Sequence, residues 1–366
     1  MDWGQILVRK VINLSAQDIQ SVDVDISVVI GNLCTTPMLC DSAFILRFPE
    51  EHLLASDALP PVESFICSYK KIEKTPWLLT KKCILDLDSD TLDVKLFEKL
   101  EIGAFFVNIS SVYAGFSQYG NQDYQKIKRG YKLPEYQSIE GVINLKKLFG
   151  LKHSLAEWIY SIHKLRPDIP FGIRMPANFI ERDVILAVFC EVDFIILDCP
   201  DTLPEPCEKS TPLVPSLAAI VRIVSILSKL NSLDVKIIVG TTTMFPSDCF
   251  KLLALGASLI LIDRTSLQYS KCDNHLNEQD CVKPELQISG DNVFEYMCDL
   301  NRKACDQLKK DIMECGCGKL AEISKANLLT TSFKVKEFTE IPTIADADSV
   351  SLPLYHIKPV NKRKSY

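Results

Sequence analysis

Short runs of apolar and β-branched residues, each bounded by polar turn residues, recur eight times along the chain. A strand that is buried on both faces of a sheet reads as such a run. The pattern therefore predicts eight strands, which are DISVVIG (25–31), ESFICS (63–68), KCILDL (82–87), GAFFVNI (103–109), FGIRMP (171–176), VDFIILD (192–198), VKIIVG (235–240) and ASLILI (257–262).

The segments between several of these strands carry apolar residues at helical spacing. Strands that alternate with helices predict a parallel α/β fold, and eight such units favour a closed (β/α)8 TIM barrel. An open doubly wound sheet is the alternative, but it more often has a glycine fingerprint after its first strand, and VVIGNLCTTPM lacks one. The predicted helices are LAEWIYSIHKL, ERDVILAVFCE, SLAAIVRIVSILSKL and PSDCFKLLALG, with an extra helix NVFEYMCDLNRKACDQLKKDIMEC after the eighth strand.

This pattern divides the chain into three parts. Residues 25–330 are predicted to form the barrel, residues 1–24 an N-terminal extension, and residues 331–366 an irregular tail. The hydrophobic content of 47% in 366 residues is ample for a buried core of this size.

Charge and hydropathy narrow the class of protein. The net charge is −6 with interspersed signs, and the basic cluster Lys362–Lys364 lies in the last five residues, so we expect no nucleic-acid partner. No apolar run approaches the roughly 18 residues of a membrane span, and the N-terminus is too charged for a signal peptide. We therefore expect a cytoplasmic protein with no membrane contact.

The chain has 14 cysteines, but their positions argue against a metal or disulfide framework. Most lie inside or beside apolar runs, where a free thiol behaves as a small hydrophobic group. Cys315 and Cys317 in ECGCGK are close together, and either a weak metal site or a glycine-rich helix end accounts for them. We favour the helix end and predict no metal site.

In a parallel barrel the functional site lies at the C-terminal ends of the strands. The residues predicted to cluster there are Gly31, Asn108, Arg174, Asp198, Gly240 and Asp263. Arg174 has a fixed guanidinium fork that suits a carboxylate or a flavin oxygen, although an ion pair with Asp198 or Glu191 accounts for it equally well. Thr241–Thr243 either bind an anion at a helix N-terminus or cap that helix.

Several segments resemble the FMN-binding barrel of glutamate synthase and its stand-alone relatives, over about residues 25–330. ISVVIGNLCTTPMLCDSAF is similar to the first strand and following helix of that family, and PFGIRMPANFIERDVILAVFCEVDFIILD to its fifth and sixth strands. Arg174 stands where the family carries a lysine, and Cys272 stands where it carries the first iron–sulfur ligand. The resemblance implies FMN as cofactor. It implies a catalytic role for Arg174 and cofactor contacts for Gly31, Asn108, Gly240, Thr241, Thr242 and Asp263.

The functional motifs depart from the family pattern at several strand ends. After the seventh strand the chain keeps Asp248 but has Thr241, Thr242, Met244 and Pro246 where the family has glycines and an arginine. Glycine permits close approach of the backbone to a phosphate, and the whole chain has only 14 glycines. Of the three cluster ligands, only Cys272 remains at the family spacing, although Cys281 is nearby.

Two functions are therefore open. The first is a pseudoenzyme that binds no cofactor and acts as a scaffold or partner subunit, with a protein partner or a second copy of itself and with Met244 and Phe245 covering the barrel mouth. The second is an active FMN-dependent oxidoreductase of the glutamate synthase type, which forms glutamate from 2-oxoglutarate and ammonia. We prefer the first because the phosphate-binding glycines are replaced.

Overall fold

The fold is given by a computed structural model, which describes residues 3–11, 24–47, 63–71, 79–88, 91–109, 142–144, 155–199, 214–240, 246–262 and 291–346. The strands are β1 (Ile6–Val8), β2 (Val28–Ile30), β3 (Met38–Cys40), β4 (Phe44–Arg47), β5 (Phe65–Ser68), β6 (Cys83–Asp86), β7 (Thr91–Asp93), β8 (Ala104–Asn108), β9 (Val142–Asn144), β10 (Phe171–Pro176), β11 (Phe194–Asp198), β12 (Lys236–Gly240), β13 (Leu259–Ile262) and β14 (Leu328–Thr330). The α-helices are α1 (Val94–Phe97), α2 (Leu155–His163), α3 (Ile180–Phe189), α4 (Ser216–Lys229), α5 (Pro246–Ala254), α6 (Asp291–Glu314) and α7 (Phe333–Thr339).

Eight parallel strands close into one barrel, as the sequence predicts. They follow one another around the barrel in chain order, namely β4, β5, β6, β8, β10, β11, β12 and β13, and β13 pairs with β4 to complete the circle. Seven of the eight predicted runs supply barrel strands. The predicted helices of residues 155–165, 181–191, 216–230, 246–256 and 292–315 correspond to α2, α3, α4, α5 and α6. The (β/α)8 TIM barrel is confirmed.

The first predicted strand is assigned wrongly. Residues 28–30 form β2, which pairs antiparallel with β3 in a hairpin outside the barrel sheet, and Phe44–Arg47 supplies the first barrel strand instead. Both segments are short apolar runs, so periodicity cannot distinguish them. The hairpin lies at the N-terminal end of the barrel, because Thr36 N–H donates to the carbonyl of Asp168, which precedes β10.

Alternate residues of the barrel strands fill the interior. The interior cluster contains Ile45, Ile66, Ile84, Ala104, Phe106, Phe194, Ile196, Ile238, Leu259 and Leu261, and the hairpin residues Ile30, Met38 and Cys40 belong to the same cluster. The intervening residues, such as Ile173 and Ile195, face outward and join the larger cluster that packs against the helices. The hairpin therefore closes the N-terminal end of the barrel with apolar side chains.

The two terminal parts of the chain meet beside the barrel. β1 pairs antiparallel with β14, so the N-terminal extension is held by the segment that follows α6. The tail that the sequence predicts as irregular contains α7, which Ser332 caps by accepting a hydrogen bond from the Val335 N–H. Within the described ranges, no helix combines the length and the hydropathy that crossing a membrane requires.

Gly172 shows how tightly the barrel interior is packed. A Cβ atom at this position would lie 2.3 Å from Cε2 of the Phe194 ring on the neighbouring strand. Phe194 is fully buried, and its ring also makes an edge contact with Phe106 at 6.5 Å between centroids. The ring therefore has little room to move away.

We predict that Gly172→Ala lowers the free energy of unfolding by about 1–3 kcal/mol, because an extra methyl group overpacks the core. Chemical denaturation followed by circular dichroism measures this change. The matched control is Gly318→Ala, whose Cβ would lie 3.7 Å from Glu322 Oε2 at an exposed position, and which we expect to change stability by less than about 0.5 kcal/mol. Equal effects of the two substitutions would contradict this packing.

Candidate functional site at the barrel mouth

The C-terminal strand ends bring a set of polar side chains to one mouth of the barrel. Each of them comes two positions after an inward-facing residue of its strand, which is Gly172 for Arg174 and an apolar member of the interior cluster for the others, so strand alternation turns it toward the barrel axis. We call this set the mouth layer, and its members are Arg47, Ser68, Asp86, Asn108, Arg174 and Asp198.

Arg174 and Asp198 form the best-defined ion pair of the mouth layer. Arg174 Nε donates to both carboxylate oxygens of Asp198 at 3.0 Å, and Arg174 Nη2 donates to Oδ1 at 2.9 Å. The two side chains are only 15% and 14% exposed. A planar guanidinium that engages a carboxylate in this way is a strong, charge-assisted contact, so much of the hydrogen-bonding capacity of Arg174 is directed to Asp198.

Arg47 and Asp86 form a second, looser pair. Arg47 Nη2 lies 3.5 Å from Asp86 Oδ2, and the Asp86 side chain is only 6% exposed. Its other oxygen, Oδ1, is buried and has no hydrogen-bond partner within the described part of the chain. The pKa of Asp86 is raised to about 6, chiefly by burial and also by the charge of Asp88, while the charges of Arg47, Arg174 and Lys70 oppose this rise. The carboxylate is thus held in a site that penalises its charge.

Asp88 extends the acidic side of the mouth beyond β6. The Ser68 hydroxyl donates to Asp88 Oδ2 at 2.6 Å, and the Lys70 backbone N–H donates to Oδ1 at 3.3 Å. These two bonds fix the turn that follows β5 against the turn that follows β6. The mouth layer is consequently held together by contacts between neighbouring strand ends.

The structure brings together four of the residues that the sequence analysis placed at the mouth, namely Asn108, Arg174, Asp198 and Gly240. Arg174 and Asn108 are direct neighbours in the register of β10 and β8. The alternative for Arg174, an ion pair with Asp198, is observed. Thr241, Thr242, Asp263, Met244, Phe245 and Cys272 lie outside the described residues, so their predicted roles stay predictions.

Gly31 is not at the mouth, and its predicted location is wrong. It follows β2 in the hairpin, where its φ is +71° and a Cβ would lie 2.5 Å from Pro170 Cγ, just before β10 begins. The error has the same cause as the misassigned first strand. A glycine is required here by the left-handed backbone and by the close approach of the hairpin to the barrel.

Arg47, Ser68 and Asp86 are the members of the mouth layer that sequence reasoning missed. Arg47 was not found because its strand was assigned to residues 25–31. Asp86 stands near the end of the predicted strand 82–87. An aspartate in an otherwise apolar run, where burial is expected, is the signal that could have identified it.

Cys315 and Cys317 lie at a helix end, as favoured from the sequence. Gly316 follows α6 with φ +78°, and the Cys317 N–H donates to the carbonyl of Ile312, which is the hydrogen bond of a Schellman cap. Within the described ranges no group of three or more histidine, cysteine, aspartate or glutamate side chains is arranged to hold a metal ion.

Comparison with solved structures finds the same barrel in flavocytochrome b2. A mutant flavocytochrome b2 with benzoylformate aligns with a TM-score of 0.56 and 16% identity, covering 95% of this chain and 82% of that chain. The recombinant flavin-binding domain of baker's yeast flavocytochrome b2 aligns with a TM-score of 0.53 and 15% identity over the same shares. At this level of identity the likeness shows a shared fold.

Comparison of the sequence with protein-family models and with curated proteins finds no match. The structural alignments therefore support the predicted likeness to an FMN-binding barrel at the level of the fold alone. The solved structures that carry this support are forms of flavocytochrome b2, and the finer resemblance to glutamate synthase stays a prediction.

The raised pKa of Asp86 predicts a pH dependence of stability. Because the folded-state pKa of about 6 lies above the ordinary value of 3.8, protonation of Asp86 favours the folded state, and this contribution is lost as pH rises through about 6. We predict that the wild-type chain loses about 1 kcal/mol more unfolding free energy than Asp86→Asn between pH 5 and pH 7.5.

Urea unfolding at the two pH values measures this difference. Comparing the change with pH, rather than stability at one pH, separates the titration of Asp86 from any loss of its contact with Arg47. The exposed Asp299→Asn variant is the control and should retain the wild-type pH dependence. The assignment fails if Asp86→Asn and the wild-type chain respond to pH in the same way.

Proposed function

We propose that this chain is a divergent flavin-barrel protein that has lost its cofactor sites and acts in the cytoplasm as a non-catalytic scaffold or partner subunit. The observation that carries the proposal is the pairing of charges in the mouth layer. Arg174 engages Asp198 through three hydrogen bonds, and Arg47 faces Asp86. A mouth built to bind an anionic ligand would direct its guanidinium groups to that ligand.

Within the described strand ends, the mouth layer suits its own ion pairs better than an anionic ligand. The two arginines are matched by two carboxylates, and Asp88 adds a third carboxylate beside them. An anion that binds Arg174 would have to separate its buried pair with Asp198, which leaves a carboxylate uncompensated at a cost of roughly 3–5 kcal/mol. The energetically favoured state of this mouth is the self-paired one.

The sequence around the mouth supports the same proposal. Phosphate binding in such barrels needs backbone amides at the ends of the seventh and eighth strands, where glycine allows close approach. Here Gly240 ends β12 and is followed by a run of threonines. The free buried thiols Cys40, Cys83 and Cys249 suit a reducing compartment, which supports the proposed cytoplasmic location.

The second candidate is an FMN-dependent oxidoreductase, which in its sharpest form is the glutamate synthase type. The shared fold with the flavin-binding domain of flavocytochrome b2 favours it, as does the position of Arg174 at the end of the fifth barrel strand. This candidate requires the mouth layer to rearrange so that Arg174 exchanges Asp198 for a ligand. Both candidates predict measurable behaviour toward flavin.

The deciding experiment is a thermal-shift titration of the purified chain with FMN. A ligand that binds the folded state raises the melting temperature by mass action, so the scaffold proposal predicts no saturable shift. The absorption spectrum after purification should also lack flavin bands. The flavin-binding domain of flavocytochrome b2, stripped of its flavin, serves as the positive control. A saturable upward shift at micromolar FMN overturns the scaffold proposal and favours the oxidoreductase.

We further predict that the purified chain holds no iron–sulfur cluster. Clusters need several thiolates that converge on the irons, and the sequence keeps only Cys272 of the three ligand positions that the resemblance implies. Iron and acid-labile sulfide are quantified after anaerobic purification, with apo-protein subjected to cluster reconstitution as a second measurement. Stoichiometric iron and sulfide in either preparation would show that another thiol, such as Cys281, completes the site.

A further inference from the structure

The N-terminal end of the barrel, opposite the mouth, carries a cavity of about 410 Å³. Its walls come from the turn of the β2–β3 hairpin, from the end of α2 and from the loops that lead into β11 and β12. Cys34 and Asp193 are joined across it by a hydrogen bond of 3.4 Å, and Asp193 also accepts the Phe171 N–H at 2.9 Å. The hairpin is therefore tied to the barrel along one wall.

The cavity is electronegative. Among the described residues, its lining includes the carboxylates of Glu191, Asp193 and Asp234 and contains no lysine or arginine. His163 does not offset them, because burial lowers its pKa below the ordinary value and leaves the ring neutral at pH 7. The helices α2, α3 and α4 all end beside the cavity, and the C-terminal end of a helix carries partial negative charge.

Exposed apolar side chains lie on the hairpin and in the loops that line this acidic cavity. Val29 and Leu39 are direct partners in the hairpin, and both point to solvent, with 37% and 50% exposure. Leu33 at the hairpin turn lines the cavity and is 88% exposed, and Leu230 and Leu233 flank its lining residues Asn231 and Ser232 with 40% and 62% exposure. We call the five apolar residues together with Glu191, Asp193 and Asp234 the basal surface.

The basal surface is complementary to the last twenty residues of this sequence. Residues 347–366 follow the last described residue and combine apolar and basic side chains, namely Leu352, Leu354, Ile357 and Val360 with Lys358, Lys362, Arg363 and Lys364. Twenty residues span up to about 65 Å when extended, so the segment is long enough to reach the opposite side of a domain of this size.

We propose that the basal surface binds the basic C-terminal segment of the same chain, with leucine and isoleucine side chains on the exposed leucines and a lysine or arginine at the acidic cavity. Burying the exposed leucines would give the contact its affinity, and the opposite charges would fix its orientation. This assigns a role to the Lys362–Lys364 cluster. The charge pattern alone predicts only that this cluster does not bind nucleic acid. The proposal does not depend on whether the mouth binds flavin.

A second copy of the folded barrel is a poorer occupant. An isologous contact would bring two acidic cavities together, and like charges that face each other disfavour the contact. The described surface contributes the acidic half of the complementarity, so its occupant has to supply the basic half. The residue run 358–364 carries four lysine and arginine residues in seven positions, a density that the run 126–132 equals, and it lies in the segment that follows the last described residue.

Zero-length carbodiimide cross-linking of the full chain tests the proposal. The reagent joins a lysine Nζ to a carboxylate in contact with it, forming an amide with loss of water, and peptide mass spectrometry identifies the pair. We expect links from Lys358, Lys362 or Lys364 to Glu191 or Asp234. Their yield should fall in high salt, because exposed charge contacts are screened.

A variant and a matched control test the apolar half of the surface. Leu33→Ser removes a leucine side chain from the contact while leaving all cross-linkable groups in place, and we expect it to reduce the yield at least about fivefold. Leu7→Ser, at a 41% exposed position on β1, should leave the yield unchanged. Circular dichroism spectra that match the wild type exclude unfolding as the cause.

Isotope labelling distinguishes the source of the basic segment. In an equal mixture of light and heavy chains, links confined to light–light and heavy–heavy pairs support binding within one chain. Mixed light–heavy links would show that the segment of a second copy occupies the surface and would overturn the proposal. The absence of links to Glu191 and Asp234, or equal yields from Leu33→Ser and Leu7→Ser, would also overturn it.

Discussion

Closure of the parallel sheet is the constraint on which the rest of this structure depends. Once eight strands close, every second residue is forced into a common interior from which water is excluded, and its neighbours are forced toward the helices. The interior accepts isoleucine, leucine and phenylalanine along most of each strand, and Gly172 provides the space for the Phe194 ring. The same alternation continues to the strand ends, where the next inward positions are charged.

Desolvation then decides how those charged positions behave. Arg174 and Asp198 are both largely buried, and so is Asp86, so each charge needs a partner close by. The barrel supplies these partners from neighbouring strand ends, and the result is a neutral layer over an apolar interior. A catalytic barrel solves the same problem differently, since it leaves part of the pairing to the ligand. The proposed loss of ligand binding rests on this self-pairing at the mouth.

Much of the fold could be predicted from the sequence, because buried parallel strands and amphipathic helices have distinct periodicities. The runs at residues 171–176 and 192–198 are long, strongly apolar and followed by clear helices, and they were placed correctly. Residues 28–30 and 44–47 are both short apolar runs, and what separates them is tertiary. The hairpin pairs locally and antiparallel, whereas Phe44–Arg47 pairs with strands from opposite ends of the chain. No local pattern contains that information.

The candidate site was predictable only as far as its strands were. Arg174 and Asp198 end strands that were correctly assigned, and their pairing was among the alternatives. Arg47 was lost with its strand, and its partner Asp86 was then left without a visible reason to be buried. Gly31 lies at the opposite end of the barrel from its predicted location for the same reason. One shift in the first strand thus changes two members of the site, because strand order fixes which strand ends become neighbours.

The two ends of this barrel differ in the way their polar groups are satisfied. At the mouth, cations and anions from adjacent strands satisfy one another. At the N-terminal end, the hairpin closes the interior with Ile30, Met38 and Cys40, yet Leu33 at its turn stays exposed in the lining of a cavity that holds three carboxylates. Exposed apolar side chains next to unmatched charge are unfavourable in isolation, and a contact surface is the common reason for such a patch. The N-terminal end, which most barrel enzymes use only for stability, is therefore the end at which the described part of this chain presents the proposed contact surface.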